Sequence, residues 1–202
     1  MTNDESINLK KFFSEIQMLK RVRNEGFRLA GIAETAPIAE HALIAAQIAF
    51  VLAKLEGADP YKVACTLIFH DNAEIRIGDQ SKVNARYIKR DSIERTALAE
   101  QTDNLPGQLK DDILSLFDQI ESRGTREGVI AKDADWLETA IQAKIYMEQG
   151  HRGCENWIDN VEKALETESA KQILKVIRED SDFTNTWWQG LKKMTYTKLD
   201  KR

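Results

Sequence analysis

The chain has 202 residues, 42% hydrophobic and 31% charged, enough to bury one compact core and keep a solvated surface. Its formal net charge of -4 argues against a general binder of nucleic acid or of anionic membranes, since both need an excess of lysine and arginine. Ala42 to Leu55, among the longest apolar stretches, contains Gln47 and Lys54 and falls short of a bilayer span. Met1 to Ser6 is acidic and polar, unlike a secretory signal. Cys65 and Cys154 have no metal-binding spacing, and Cys65 lies in an apolar segment as a small core residue would. A reducing cytoplasm is the expected compartment.

Taken in chain order, the sequence predicts helices throughout. Leu9, Phe12, Phe13, Ile16, Leu19 and Val22 recur at helical spacing and define a first amphipathic helix ending near Gly26. A loop with Gly31 and Pro37 follows, then a helix from about Ile38 to Leu55 that is apolar on most faces and so belongs at the centre of a bundle. Asp59 and Pro60 read as N-cap and first residue of a short buried helix from Tyr61 to His70. Gly78 breaks the pattern. Lys82 to Gln101 reads as a charged helix, and Asn104 with Pro106 as the start of another, closed by Arg123 and Gly124. Glu127 to Glu148 is a long helix with Ala134, Leu137, Ile141 and Ile145 facing inward. Two shorter helices, Asn156 to Leu165 and Ser169 to Glu179, precede a last segment from Asp182 to Leu199. Strand signals, internal repeats and interdomain linkers are absent from the sequence. The expectation is an all-α, single-domain helical bundle with a core over about residues 6–150 and a C-terminal helical extension over 151–202.

Chemistry concentrates between Thr66 and Asp79. An apolar run there ends in adjacent His70 and Asp71, followed by Glu74, Arg76 and Asp79. Burying a polar group without a partner costs roughly 2–7 kcal/mol. A divalent metal is one partner that takes an imidazole lone pair and a carboxylate oxygen together. A core histidine bonded to its neighbour is the plainer alternative. The chain has three histidines. His41 opens the most apolar helix, His70 closes another, and His151 sits at a helix C-terminus where it would complement the helix dipole. On the long helix, Asp135 and Glu138 share a face among apolar residues, and Asp133 points elsewhere. A carboxylate so placed is either a solvated helix acid or needs a cation. His41, His70, Asp71 and Asp135 together would hold one, leaving two positions for water in an octahedral shell. Two nitrogens and two oxygens suit Mn, Fe, Co or Ni, with Zn possible.

The ordered set His41, His70-Asp71 and Asp135 resembles the signature of HD-domain metal-dependent phosphohydrolases. Leu19 to Phe27 before Ala39-Glu40-His41, then His70-Asp71-Asn72-Ala73-Glu74 with Gly78-Asp79, then Lys132 to Asp135, is similar to the subgroup containing 5'-deoxynucleotidases. The resemblance runs from the first helix to about Gly150. It implies one divalent metal ion held by His41, His70, Asp71 and Asp135, and catalytic acids at Glu74 and Asp79. The substrate it implies is a nucleoside 5'-monophosphate that loses its phosphate, and the assembly a homodimer. The chain departs from the subgroup at Gly26-Phe27 and at Ala36-Pro37, near the expected substrate pocket. Arg76, Lys82, Arg21 and Arg23 are candidates for holding the phosphate dianion, and Phe27 either for stacking on base or sugar or for an apolar contact within the bundle. The alternatives are a phosphodiesterase or nucleoside triphosphohydrolase of the same superfamily, or a non-catalytic nucleotide-binding protein.

Overall fold

The computed structural model describes residues 1–88 and 90–191. Among them the chain is helical, with one isolated β-bridge between Arg23 and Pro37. Helix α1 (Asn3–Ile16) starts on a reciprocal cap: the Thr2 hydroxyl accepts from the Glu5 N–H, and the Glu5 carboxylate accepts from the Thr2 N–H. The expected continuation to Gly26 does not form. The α-helix tightens into a 3-10 turn at Gln17–Lys20, and a second 3-10 turn covers Gly26–Ala30. The backbone between them is satisfied instead by the returning strand of loop, with Asn24 N–H donating to Ala36 and Ile38 N–H donating to Val22.

Helix α2 (Ile38–Leu55) buries His41, Ala42, Ala45, Ala46, Ala49, Leu52 and Ala53 and packs chiefly on α3 (Pro60–Phe69) and α7 (Arg126–Glu148). Its length and mean hydropathy of 1.6 would also suit a membrane-crossing helix. Its small residues let the neighbouring helices approach closely around it. The Asp59 carboxylate caps α3 as expected, accepting from the N–H groups of Tyr61 and Lys62 behind Pro60. Thr125 caps α7, its hydroxyl accepting from the Gly128 N–H.

The short α4 (Glu74–Ile77) follows directly on the His70-Asp71 turn and ends at Gly78, whose φ of +74° few residues but glycine adopt. The charged helix expected from Lys82 begins later: Asn84–Arg86 is a 3-10 turn, and α5 spans Arg90–Thr102. Asn104 does not cap the next helix. Leu105 N–H donates back to Thr102, a turn follows through Pro106 and Gly107, and α6 runs from Leu109 to Ser122. Helix α6 lies so close to α7 that a Cβ at Gly128 would fall 2.3 Å from the Gln119 carbonyl oxygen. Helices α8 (Glu155–Ala164), α9 (Glu168–Glu179) and α10 (Phe183–Thr186) complete the fold. The end of the expected last segment, 192–199, lies outside the described residues.

Two apolar cores result. The larger joins α2, α3 and α7 to α8 and α9, burying Leu52, Leu67, Leu137, Ile158 and Leu174 together. The stretch after residue 150 therefore shares the main core. Asp133 helps hold it: buried on α7, its carboxylate accepts from the N–H groups of Glu166 and Thr167 and from the Thr167 hydroxyl, capping α9. The smaller core joins Phe12 of α1 to Leu98, Ile113, Leu114 and Phe117 of α5 and α6. Ala73 belongs to this smaller core, and Leu67 to the larger. The intervening His70-Asp71 turn lies where the two meet.

Candidate metal centre

Three elements deliver the four candidate ligands. His41 lies in the first turn of α2, His70 and Asp71 at the end of α3, and Asp135 in the middle of α7. Each histidine is fixed through its Nδ1, leaving Nε2 to face inward. His41 Nδ1–H donates to the Glu138 carboxylate in a very short contact, and His70 Nδ1–H donates to the Leu67 carbonyl at 2.8 Å. The two Nε2 atoms converge on two carboxylates. Asp135 Oδ1 is 3.2 Å from His41 Nε2 and 3.7 Å from His70 Nε2. Asp71 Oδ2 is 3.6 Å and 3.1 Å from the same atoms.

Those separations, from 3.1 to 3.7 Å, are close to what ligands sharing one ion would need. Ligands bound at about 2.0–2.2 Å lie about 3–3.5 Å apart. A second observation agrees: His70 Nε2 is buried and has no hydrogen-bond partner, a costly arrangement unless something else takes its lone pair. Ligand atoms of His41, His70 and Asp71 fall within 4.8 Å of one another. The electrostatics favour a cation as well. Burial works against charge on His41, yet Asp135 and Glu138 outweigh it and raise its pKa well above the ordinary range. For His70, too, burial lowers and Asp71 with Asp135 more than restores it, so its pKa is raised. Burial pushes the Asp135 carboxyl up, but Lys132 and the two histidines hold it well below the usual range. A field that stabilises positive charge on these rings would stabilise a metal ion between them. The mixed nitrogen and oxygen donors fit a divalent ion of the Mn, Fe, Co, Ni or Zn kind.

The centre opens into a cavity of about 330 Å³ that His41, Asp71 and Asp135 line at one end. Glu74, 2% exposed, lines it one helical turn beyond His70. Asp79 also lines it, and its Oδ2 accepts from the N–H groups of Glu25 and Gly26 at 2.6 Å and 3.3 Å. The reversal at Gly78 brings Asp79 back to the first loop, so this carboxylate fixes the loop against the site. Lys82 and Lys132 supply cationic groups to the wall, and Asn156, Trp157 and Asn160 of α8 also line it.

Three sequence expectations for substrate contact are corrected. Phe27 is 1% exposed, stacked on Trp157 with centroids 5.3 Å apart and edge-on to Tyr146 at 5.1 Å, so it packs the core and does not reach a ligand. Arg76 turns away from the cavity and pairs with Glu15 at 2.6 Å and Glu100 at 3.5 Å. Arg23 donates to the Thr35 carbonyl at 2.8 Å and holds the loop, again outside the cavity lining, as is Arg21. What sequence reasoning missed is Glu138, Lys132 and the α8 wall. Glu138 had a visible signal, its shared face with Asp135.

A model of the HD domain matches residues 16–177. The chain belongs to the HD-domain family. Two curated relatives are both named 5'-deoxynucleotidase HDDC2. The Dictyostelium discoideum protein is 26% identical over 72% of this chain and 80% of its own length. The Homo sapiens protein is 24% identical over 72% and 71%. Among solved structures, a conserved hypothetical protein from Pyrococcus furiosus superposes with a TM-score of 0.70 at 26% identity, covering 83% of this chain and 97% of that one. A predicted metal-dependent phosphohydrolase from Magnetospirillum magnetotacticum shares the fold, with a TM-score of 0.67 at 22% identity over 87% and 94%.

Proposed function

We propose that the chain is a metal-dependent phosphohydrolase that releases phosphate from (deoxy)ribonucleoside 5'-monophosphates. The observation that carries this reading is the convergence of His41, His70, Asp71 and Asp135 beside a cavity that His41, Asp71, Asp135 and Glu74 line. When bound there, a divalent ion supplies a Lewis acid for the phosphate and lowers the pKa of a bound water. The protein does the rest. Glu74, shielded and adjacent to the ligands, takes a proton from the attacking water and returns one to the leaving 5'-oxygen. Water adds its oxygen to phosphorus as the P–O5' bond breaks, and the products are a nucleoside and inorganic phosphate. Asp79 holds the Glu25–Gly26 loop over the site and borders the same space. Lys82, on the cavity wall, offers positive charge to the phosphate. The nucleoside lies toward α8, where Trp157 gives an aromatic surface and the side chains of Asn156 and Asn160 give amide donors and acceptors. The relatives named as 5'-deoxynucleotidases support this substrate class.

The same reading takes a second copy of the chain as partner. Leu43, Val51 and Leu55 on α2, with Tyr61 and Ile68 on α3, are large apolar side chains that are more than half exposed, and they support a homodimer that covers them.

The test is phosphate release from a panel of nucleoside 5'-monophosphates by protein loaded separately with each candidate metal. Wild type is expected to turn over, and Glu74→Ala to lose about two to four orders of magnitude in kcat while keeping its metal. Equal rates for the two proteins would remove Glu74 from the chemistry. With nucleoside triphosphates as a second panel, faster release of pyrophosphate or triphosphate from them than of phosphate from the monophosphates would replace the monoesterase reading.

A further inference from the structure

We propose that Lys132 is a positioning residue that keeps Asp135 a one-oxygen ligand and so keeps a coordination position open for the phosphate. The inference rests on the metal-centre reading above and concerns how that centre is held.

The two oxygens of Asp135 face different partners. Oδ1 faces both histidine Nε2 atoms, at 3.2 Å and 3.7 Å. Oδ2 faces the Lys132 ammonium at 3.3 Å. Lys132 stands one helical turn before Asp135 on α7, so a continuous helix sets their spacing. The ammonium is held from the far side too. Glu121 of α6 lies 3.3 Å away, and the close α6–α7 contact at Gly128 keeps α6 near enough for that pair. The Trp136 ring lies 5.9 Å from the ammonium, giving it a third anchor. Lys132 is 21% exposed at its side chain and Glu121 30%, so both groups are partly withdrawn from water.

The consequence concerns denticity. A free carboxylate beside a divalent ion can bind through one oxygen or through both. An ammonium on Oδ2 stabilises that oxygen where it is and opposes its rotation toward the ion. With Asp135 restricted to Oδ1, the four protein ligands would contribute four donor atoms and leave room for a phosphate oxygen. Without Lys132, Oδ2 is free to join, and the added donor fills a position that a phosphate oxygen needs. Lys132 lines the cavity as well, so a direct contact with phosphate is the competing role that the experiment must separate.

Cobalt(II) reports its donor set through its visible absorption, which changes when a carboxylate oxygen takes the place of a water. Wild type, Lys132→Met and Lys132→Arg are loaded with Co(II) and titrated with inorganic phosphate. The expected result is one ion in each protein and a visible spectrum in Lys132→Met that differs from wild type before phosphate is added. Its phosphate affinity is expected to fall about 10- to 100-fold, with the Arg variant close to wild type in both. Glu121→Gln, which loosens the anchor and keeps the ammonium, is expected to shift the spectrum in the same direction by less. An unchanged spectrum in Lys132→Met overturns the proposal, and if phosphate binding is nevertheless lost, Lys132 touches the phosphate itself. Loss of the ion from a Lys132→Met protein with wild-type circular dichroism also overturns it, because the lysine would then serve affinity. A wild-type chain that takes up no Co(II) overturns the metal centre, and the Lys132 role with it.

Discussion

The metal centre and the loop around Phe27 look alike in sequence and differ in what their side chains still require. Around Phe27 every demand is met within the protein: the ring lies between Trp157 and Tyr146, and Arg23 donates to the Thr35 carbonyl. At the candidate centre two imidazoles and two carboxylates crowd together, and the buried His70 Nε2 makes no hydrogen bond although Asp71 Oδ2 lies 3.1 Å away. Aromatic and basic residues near a site do not mark a contact. Converging polar atoms with an unmet need do, because leaving them unmet is expensive.

The comparison breaks most clearly at His70. Replacing it with Ala removes a proposed ligand, and the expected outcome is loss of stoichiometric metal with a fall in turnover of about a thousandfold or more, as for removal of several kcal/mol of Lewis-acid stabilisation. Elemental analysis of the purified variant checks this, and full metal content in His70→Ala would contradict its place among the ligands. Phe27→Ala should act in the opposite way. Deleting a buried aromatic from the main core costs about 3–5 kcal/mol of stability, read from a chemical denaturation midpoint. The metal content of the folded fraction should stay at wild-type level. A variant of unchanged stability with a raised KM would restore Phe27 as a substrate contact.

Glu138 sharpens the contrast from within the centre. It touches no candidate ion, yet it accepts from His41 Nδ1–H and so leaves Nε2 with the lone pair. Glu138→Gln keeps the shape and weakens the acceptor. Metal affinity is expected to drop about 10- to 100-fold, measured by competition with a chromophoric chelator, while the fold is retained.

The candidate centre stood out in sequence because polar residues set into apolar helices violate an otherwise consistent pattern. His41 and His70-Asp71 do so at helix ends and Asp135 does so mid-helix, and α2, α3 and α7 appear nearly where hydrophobic spacing puts them. What spacing does not encode is the direction of a side chain that has a choice of partners. Arg76 follows His70 by six residues, but its partner Glu15 is 61 residues away in sequence, and the partners of Phe27 lie on α7 and α8. The α8 wall escaped notice because its pocket side consists of ordinary amides and an aromatic residue, types that also populate solvent-facing and core positions. Local hydrogen bonding likewise decided the late starts of α5 and α6.

The smallest expected effect tests the correction at Arg76. Its hydrogen bond lowers the pKa of Glu15 below the ordinary value of 4.5, outweighing burial, which raises it. A depressed folded-state pKa stabilises the protein above the unfolded value and ceases to do so as pH falls through the folded one. The pair therefore contributes at pH 7, fades on going below about 4.5, and contributes nothing once Glu15 is protonated in both states. Both side chains are about a quarter to a third exposed, so the contribution is held to about 1 kcal/mol or less. Arg76→Ala should lower the denaturation midpoint slightly at pH 7, lower it less at pH 4, and leave it equal to wild type in stronger acid. KM for the nucleotide should not move at all, since the guanidinium is turned toward α1 and α5 and away from the cavity. A rise in KM with no change in the midpoint would return Arg76 to the phosphate.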